Sequence, residues 1–240
     1  MWSTVRNVVL LLAPLVGVAS AATAETWGYH EDRPSQPGPS KWVTVAPACG
    51  GKSQSPVNLV YHSNSVVNLW GTTDVAPIKL SGSCKGFNLK QLVDVFKWEL
   101  ADATACKLAL QLQNGKTYSL LQFHVHTPSE HTIEGHNYNG EIHFVHKEDG
   151  GDGLLVVGLL LNAEENVGEY NWVQNILNTM DKGVEGSTVA VDLGVNYVDL
   201  INHLVSRSHL FNYSGSLTTP PCSEIVNWWV LNNPLSISME

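Results

Sequence analysis

The sequence is poor in charge, and in basic charge above all. Only 15% of its 240 residues are charged, with 13 Lys and Arg against 22 Asp and Glu. The formal net charge is −9 and no run of Lys or Arg occurs, which argues against a nucleic-acid partner. Beyond residue 24 no apolar stretch approaches the roughly 18 residues of a membrane span, so no transmembrane helix is expected. The four cysteines include no C-x-x-C pair, which disfavours a cysteine zinc site. A helical H-E-x-x-H pattern is missing too, which disfavours a zincin-type protease. Internal repeats and low-complexity tracts are absent.

What remains is a sequence suited to one large core. Hydrophobic residues make up 43% and there are 8 Trp. A single domain of this length is ordinary for β-rich chains. Residues 1–24 carry one charge, Arg6, then an apolar run from Val8 to Val18. Two A-x-A sites follow, at Ala19–Ala21 and Ala22–Ala24. This predicts a secretory signal peptide over 1–24, with the domain over 25–240 and a secreted, secretory-pathway or periplasmic location. Four cysteines in an exported chain predict disulfides, and three pairings of Cys49, Cys84, Cys106 and Cys222 are open.

From Ala76 onward short apolar or alternating segments recur, bounded by Gly, Asn or Asp. They include "APIKLSG", "FNLKQLVDVFKWEL", "KLALQLQ", "TYSLLQFHVH", "GEIHFVHK", "LLVVGLLL" and "IVNWWVLN". The "NG" dipeptides at 114–115 and 139–140 fit tight turns. Helices are expected at 169–180 and 197–205. The fold class is therefore mainly β (α+β): one domain on a large, mostly antiparallel, twisted sheet with a few short peripheral helices.

Histidine is unevenly spread. Six of ten lie between Gln122 and Glu148: His124, His126, His131, His136, His143 and His146. His124 and His126 are two apart in a strand pattern, so both imidazoles share one face. His143 sits on the next strand, and antiparallel pairing can bring the three together. Three neutral nitrogens suit Zn²⁺ and leave a fourth tetrahedral position open. Gln122 and Glu141 each precede a candidate ligand by two, on the same face, where an acceptor can hold the ligand's other ring nitrogen. The plainer reading of a lone H-x-H is a pair of hydrogen-bonded strand histidines.

The stretch "QFHVHTPSEHTIEG…GEIHFVH" closely resembles the zinc signature of alpha-class carbonic anhydrases, in the version typical of the bacterial, algal and plant branch. "WGY" at 27–29, "QSPVNL" at 54–59, "LLVVGLLL" at 154–161 and "YSGSLTTPPCSEIVNWWV" at 213–230 match in order. The resemblance implies zinc-dependent hydration of CO₂ to bicarbonate and a proton, by attack of zinc-bound hydroxide. It implies His124, His126 and His143 as ligands, with Gln122 and Glu141 supporting them. By the same resemblance Thr218 is the gatekeeper, and its proton goes to Glu130. Tyr29 and Tyr213 hold ordered water and the gate network. Val145, Val156, Leu217, Val226 and Trp228 form the apolar wall for CO₂, and Thr219 touches product. The bland reading of the wall is core packing. Cys49–Cys222 is the implied disulfide, and Cys84 and Cys106 are a second candidate pair. The partner is a small-molecule substrate; oligomeric state is left open.

Two departures from the family accompany these matches. "SGSCKGFNL" stands where fast members carry a shuttle histidine, and Lys85 falls near that place, which predicts slower turnover. The family also continues for several dozen residues past "PLSIS", supplying late strands and a backbone acceptor for one ligand histidine, so the C-terminal part of the domain is expected to be missing here. A rival reading is a catalytically weak or inactive carbonic-anhydrase-like binding or storage protein. His131 and His146 are expected to be structural hydrogen-bonding residues beside the site. The sequon Asn212-Tyr213-Ser214 abuts the site and is expected to go unused.

Overall fold

The computed structural model describes residues 27–32, 36–61, 65–67, 77–91, 95–102, 104–110, 115–165, 171–194 and 196–238. The expected signal peptide over 1–24 lies outside the described residues, as do Asn114 of the first Asn-Gly pair and Glu169 and Tyr170 of the first expected helix.

Thirteen strands occur among the described residues. They are β1 (Asn58–Leu59), β2 (Ser65–Val67), β3 (Ile78–Gly82), β4 (Gly86–Gln91), β5 (Phe96–Leu100), β6 (Cys106–Leu110) and β7 (Thr117–His126). β8 (Thr132–Ile133), β9 (Gly140–Glu148), β10 (Leu154–Glu164), β11 (Thr188–Asp192), β12 (Leu210–Gly215) and β13 (Val226–Ser238) follow. Helices are few: α1 (Trp42–Val45), α2 (Asn171–Met180) and α3 (Tyr197–Val205), plus two 3-10 turns before β1. The stretch "FNLKQLVDVFKWEL" is thus a hairpin of β4 and β5, not one strand.

Eleven strands form one sheet in the order β11-β4-β5-β7-β9-β10-β13-β12-β2, with β6 also pairing with β7, and β3 with β6. Every pairing in it is antiparallel except β10 with β13, which run parallel along most of their length. β9 and β10 lie mid-sheet and are buried on both faces, which is why "LLVVGLLL" reads as a continuous apolar run. One face packs against α2 and α3 through Phe123, Ile142, Phe144, Leu155, Val157 and Trp229. The opposite face carries a smaller cluster that includes Val145, Val156, Val226 and Trp228.

The register between β5 and β7 is pinned by aromatic packing. Trp98 is paired with Phe123 across the strands, and their rings stack at 5.0 Å. The Trp98 indole donates to Thr179 Oγ1 of α2 at 2.9 Å, so the polar handle of a fully buried ring is satisfied. Truncating such a side chain costs about 3–5 kcal/mol.

β7 does not alternate evenly. Tyr118 and Leu120 are buried, then the phase slips and Phe123 is buried next. Leu120 pairs with His146 and Gln122 with Val145, leaving Leu121 as the extra residue of a bulge, 39% exposed. Because strand faces alternate with period two, this one residue turns Gln122, His124 and His126 toward the smaller cluster's face. Gly115 has the positive φ of a turn, 73°. Gly140, by contrast, is the first residue of β9 and has no positive φ, so the second Asn-Gly pair is not a tight turn. No helix among the described residues is long and apolar enough to cross a membrane.

Candidate metal centre

His124 and His143 are direct cross-strand partners, and His126 lies opposite Glu141. One ligand atom from each of His124, His126 and His143 falls within 4.8 Å of the others. The register that achieves this follows from the Leu121 bulge on one side and the continuous β9–β10 pairing on the other.

Each imidazole is oriented differently. Nδ1 of His124 lies 2.9 Å from Gln122 Oε1, which leaves Nε2 for the centre. Nε2 of His143 sits 2.9 Å from Glu141 Oε1, so its Nδ1 is the inward nitrogen. Nε2 of His126 is buried with no hydrogen-bond partner. A buried orphan nitrogen of this kind costs about 1–3 kcal/mol unless something takes its lone pair. Burial, with the neighbouring His143, pushes the His126 pKa down to about 3, and burial holds His124 well below its usual value. Burial also opposes a charge on His143, but the Glu141 carboxylate outweighs it and raises the pKa. That carboxylate makes the ring a better donor to a cation. Three inward imidazole nitrogens, two of them neutral at any ordinary pH, fit Zn²⁺.

Glu141 is wholly buried, and its Oε1 is shared between His143 and His131 Nδ1, the latter at 2.7 Å. Its Oε2 accepts from the backbone N–H groups of Glu130 and His131 at 3.0 and 2.8 Å. Burial alone would raise this carboxyl; His131 and His143 outweigh it and hold it well below the usual range. His131, Glu141 and His143 also cluster tightly enough to suggest a second metal site. Their facing atoms are already engaged with one another, so this group is a hydrogen-bonded support. Gly158, opposite His143 on β10, makes room for it. A Cβ there would lie 2.9 Å from Glu141 Oε1 and 3.2 Å from a Val230 methyl.

From His131 the chain of contacts runs outward. Its Nε2 is 2.6 Å from the Tyr213 hydroxyl, which is 2.9 Å from Ser55 Oγ. Ser55 is tied to Ser216 by two bonds, at 2.9 and 3.1 Å. Trp228 Nε1 donates to Ser216 O at 3.1 Å. Ser55, Ser216 and Gly158 carry no signal of this in the sequence, because serine and glycine have too many other uses.

The Thr218 hydroxyl is near enough to the Glu130 carboxylate to favour its charged form. Glu130 Oε2 lies 3.4 Å from His126 Nε2 and 3.8 Å from His143 Nδ1. Burial raises the Glu130 pKa, with His143 and Thr218 pulling the other way. Tyr29 lines a cavity of about 530 Å³ together with His126, Thr127, Pro128 and Glu130. Val145, Val156, Val226 and Trp228 are buried and Leu217 half-buried in one cluster beside the imidazoles. The Trp228 ring stands 4.8 Å from that of His143. Thr219 is half-buried, and its carbonyl accepts from Cys222 N at 2.8 Å.

Cys49 pairs with Cys222 (Cα–Cα 4.9 Å) and Cys84 with Cys106 (5.7 Å). The first bridge joins the N-terminal segment to the loop that carries Thr218 and Thr219. His146 departs from expectation. It makes hydrogen bonds, to Leu155 O at 3.2 Å and to the Tyr197 hydroxyl at 3.0 Å, but on the opposite face of the sheet from the site. The reason is period two: His143 and His146 are an odd number of residues apart on β9. Asn212 lies in β12, with its Nδ2 donating to Asn227 and to Trp228 O at 2.7 and 2.8 Å.

The rest of the site's face carries charge. One cross-strand row runs Lys90, Lys97, His124, His143 over β4, β5, β7 and β9. Glu99, opposite Gln122, bonds to both Lys90 and Lys97, at 2.5 and 2.9 Å.

The sequence model of eukaryotic-type carbonic anhydrase matches residues 37–240. Alpha carbonic anhydrase 3 of Arabidopsis thaliana is 30% identical over 248 aligned positions, covering 98% of this chain and 82% of the relative. A carbonic anhydrase of Nostoc sp. is 33% identical, covering 92% and 79%. Among solved structures, the fungal alpha carbonic anhydrase of Aspergillus oryzae superposes with a TM-score of 0.73 at 26% identity, covering 89% of this chain and 85% of that one. On this sequence match and this shared fold, the chain belongs to the alpha, or eukaryotic-type, carbonic anhydrase family.

Proposed function

We propose that the chain is a zinc-dependent carbonic anhydrase that interconverts CO₂ and bicarbonate with release of a proton. The observation that carries this reading is the convergence of three imidazoles, one with a buried orphan nitrogen, beside the Glu130–Thr218 pair. Zn²⁺ held by His124, His126 and His143 would act as a Lewis acid, supplying a water molecule made acidic near neutrality, behaviour established in this enzyme family.

The chain's own residues do the rest. Gln122 and Glu141 fix the ring nitrogens that face away from the centre. Glu130 accepts the Thr218 proton, so the Thr218 oxygen is left to accept a hydrogen bond from the attacking oxygen and aim its lone pair at carbon. Val145, Val156, Leu217, Val226 and Trp228 offer an uncharged wall on which CO₂ rests and from which water is excluded. Thr219 contacts the anionic product on the polar side, while Tyr29 and Tyr213 order the solvent and the gate network. Lys85 is exposed immediately before β4, near the place a histidine relay would take. A lysine ammonium holds its proton too firmly to relay protons well at pH 7. Two disulfides agree with an exported protein, reached through the signal peptide proposed for residues 1–24.

Stopped-flow CO₂ hydration tests this. The protein stripped with a chelator should be inactive, and one equivalent of Zn²⁺ should restore activity. A folded, zinc-loaded protein without activity would leave the binding or storage reading in its place.

A further inference from the structure

We propose that Lys97 makes this an anion-attracting site, strengthening retention of bicarbonate and of monovalent anions that compete with it, without acting on uncharged CO₂. The inference rests on the zinc-site reading above and adds a specificity residue to it.

Lys90, Lys97, His124 and His143 occupy one row on four neighbouring strands, so their side chains rise from the same face. Like charges directly opposite one another are unfavourable on a sheet. Glu99 relieves the Lys90–Lys97 pair by bonding to both ammonium groups. One carboxylate cannot neutralise two lysines, so one positive charge is left over in the row that ends at the imidazoles. The nearer lysine is Lys97, the direct cross-strand partner of His124. Two carboxylates also lie beside the imidazoles, Glu141 against His131 and His143 and Glu130 near His126 and His143, but they are the same in the parent and in every lysine variant, so substitution at Lys97 reads the lysine charge alone. The side chains of Lys97 and Glu99 are 27% and 31% exposed, so water screens the excess charge only in part.

The charge distinguishes the two carbon species of the reaction. Bicarbonate and small inorganic anions gain Coulomb attraction from Lys97, whereas CO₂ does not. Removing the charge should weaken anion binding on the order of three- to tenfold at low ionic strength, and added salt should shrink the difference.

Thiocyanate titration of the cobalt-substituted protein, followed by visible absorption, tests this without measuring turnover. Lys97→Met should raise the thiocyanate Kd three- to tenfold on that estimate, and Lys97→Arg should stay within about twofold of the parent. Glu99→Gln, which frees both lysines, should lower the Kd. Lys90→Met should raise it by less than Lys97→Met, because Lys90 is one strand further away. An unchanged Kd in Lys97→Met, or weaker binding in Glu99→Gln, would overturn the inference while leaving the metal site intact. A parent protein that takes up no cobalt would overturn the zinc-site reading, and this inference with it.

Discussion

His131 and Glu141 meet at 2.7 Å with neither side chain accessible to solvent, and the same Glu141 oxygen lies 2.9 Å from His143. One buried carboxylate thus joins a metal-ligand candidate to a hydrogen-bonded chain that ends at Ser216. Glu141→Gln removes the charge that makes His143 a strong donor. Zinc affinity, measured by competition with a chromophoric chelator, should fall about 10–100-fold. Gly158→Ala should act in the same direction, because its methyl would press on the same oxygen.

In the proposed mechanism the Thr218 hydroxyl acts only through its orientation. Thr218→Ala should lower kcat/KM for CO₂ hydration on the order of a hundredfold, with zinc content unchanged. Metal analysis beside stopped-flow rates separates this from loss of the ion. A variant with both zinc and full activity would remove Thr218 from the mechanism.

His146 should govern part of the acid sensitivity of the metal-free protein. Burial pushes its pKa down to about 4 in the folded chain, against an ordinary value of 6.5. Between those values the unfolded chain binds a proton that the folded chain refuses. Its stability contribution is therefore intact above about pH 6.5 and is lost as pH falls toward 4, at about 1.4 kcal/mol per pH unit. His146→Gln should flatten the fall of Tm between pH 6.5 and 4. An equally steep fall would show that His146 does not drive it.

Much of this is legible in the sequence alone. The alternation in "LLQFHVHT" places His124 and His126 on one face, and the same period puts Gln122, two positions earlier, beside them as a support. The mid-sheet strands announced themselves by unbroken apolar runs. The bulge at Leu121 was not legible, because an extra residue in a strand leaves the composition unchanged and only shifts its phase. Nor was the face of His146, since "HFVH" reads as a cluster until period two is applied across three positions. The β4–β5 hairpin was hidden by a connection as apolar as its strands. Ser55 and Ser216 meet across a sequence distance of 161 residues, beyond any local signal.

On the proposed reading, in which Lys85 falls near the place of a relay histidine, proton release should limit turnover. At pH 7.5, raising the concentration of an imidazole buffer at constant ionic strength should raise kcat for CO₂ hydration until it saturates. A kcat that is fast and indifferent to buffer would show that another group carries the proton.

The most direct test of the zinc assignment pairs metal content with CO₂ hydration in His126→Ala, using His136→Ala, an exposed loop position, as control. The parent and His136→Ala should each hold one zinc and hydrate CO₂. His126→Ala should lose at least a hundredfold in activity, with zinc lost or weakly held. Full zinc occupancy and full activity in folded His126→Ala would contradict the assignment of this site.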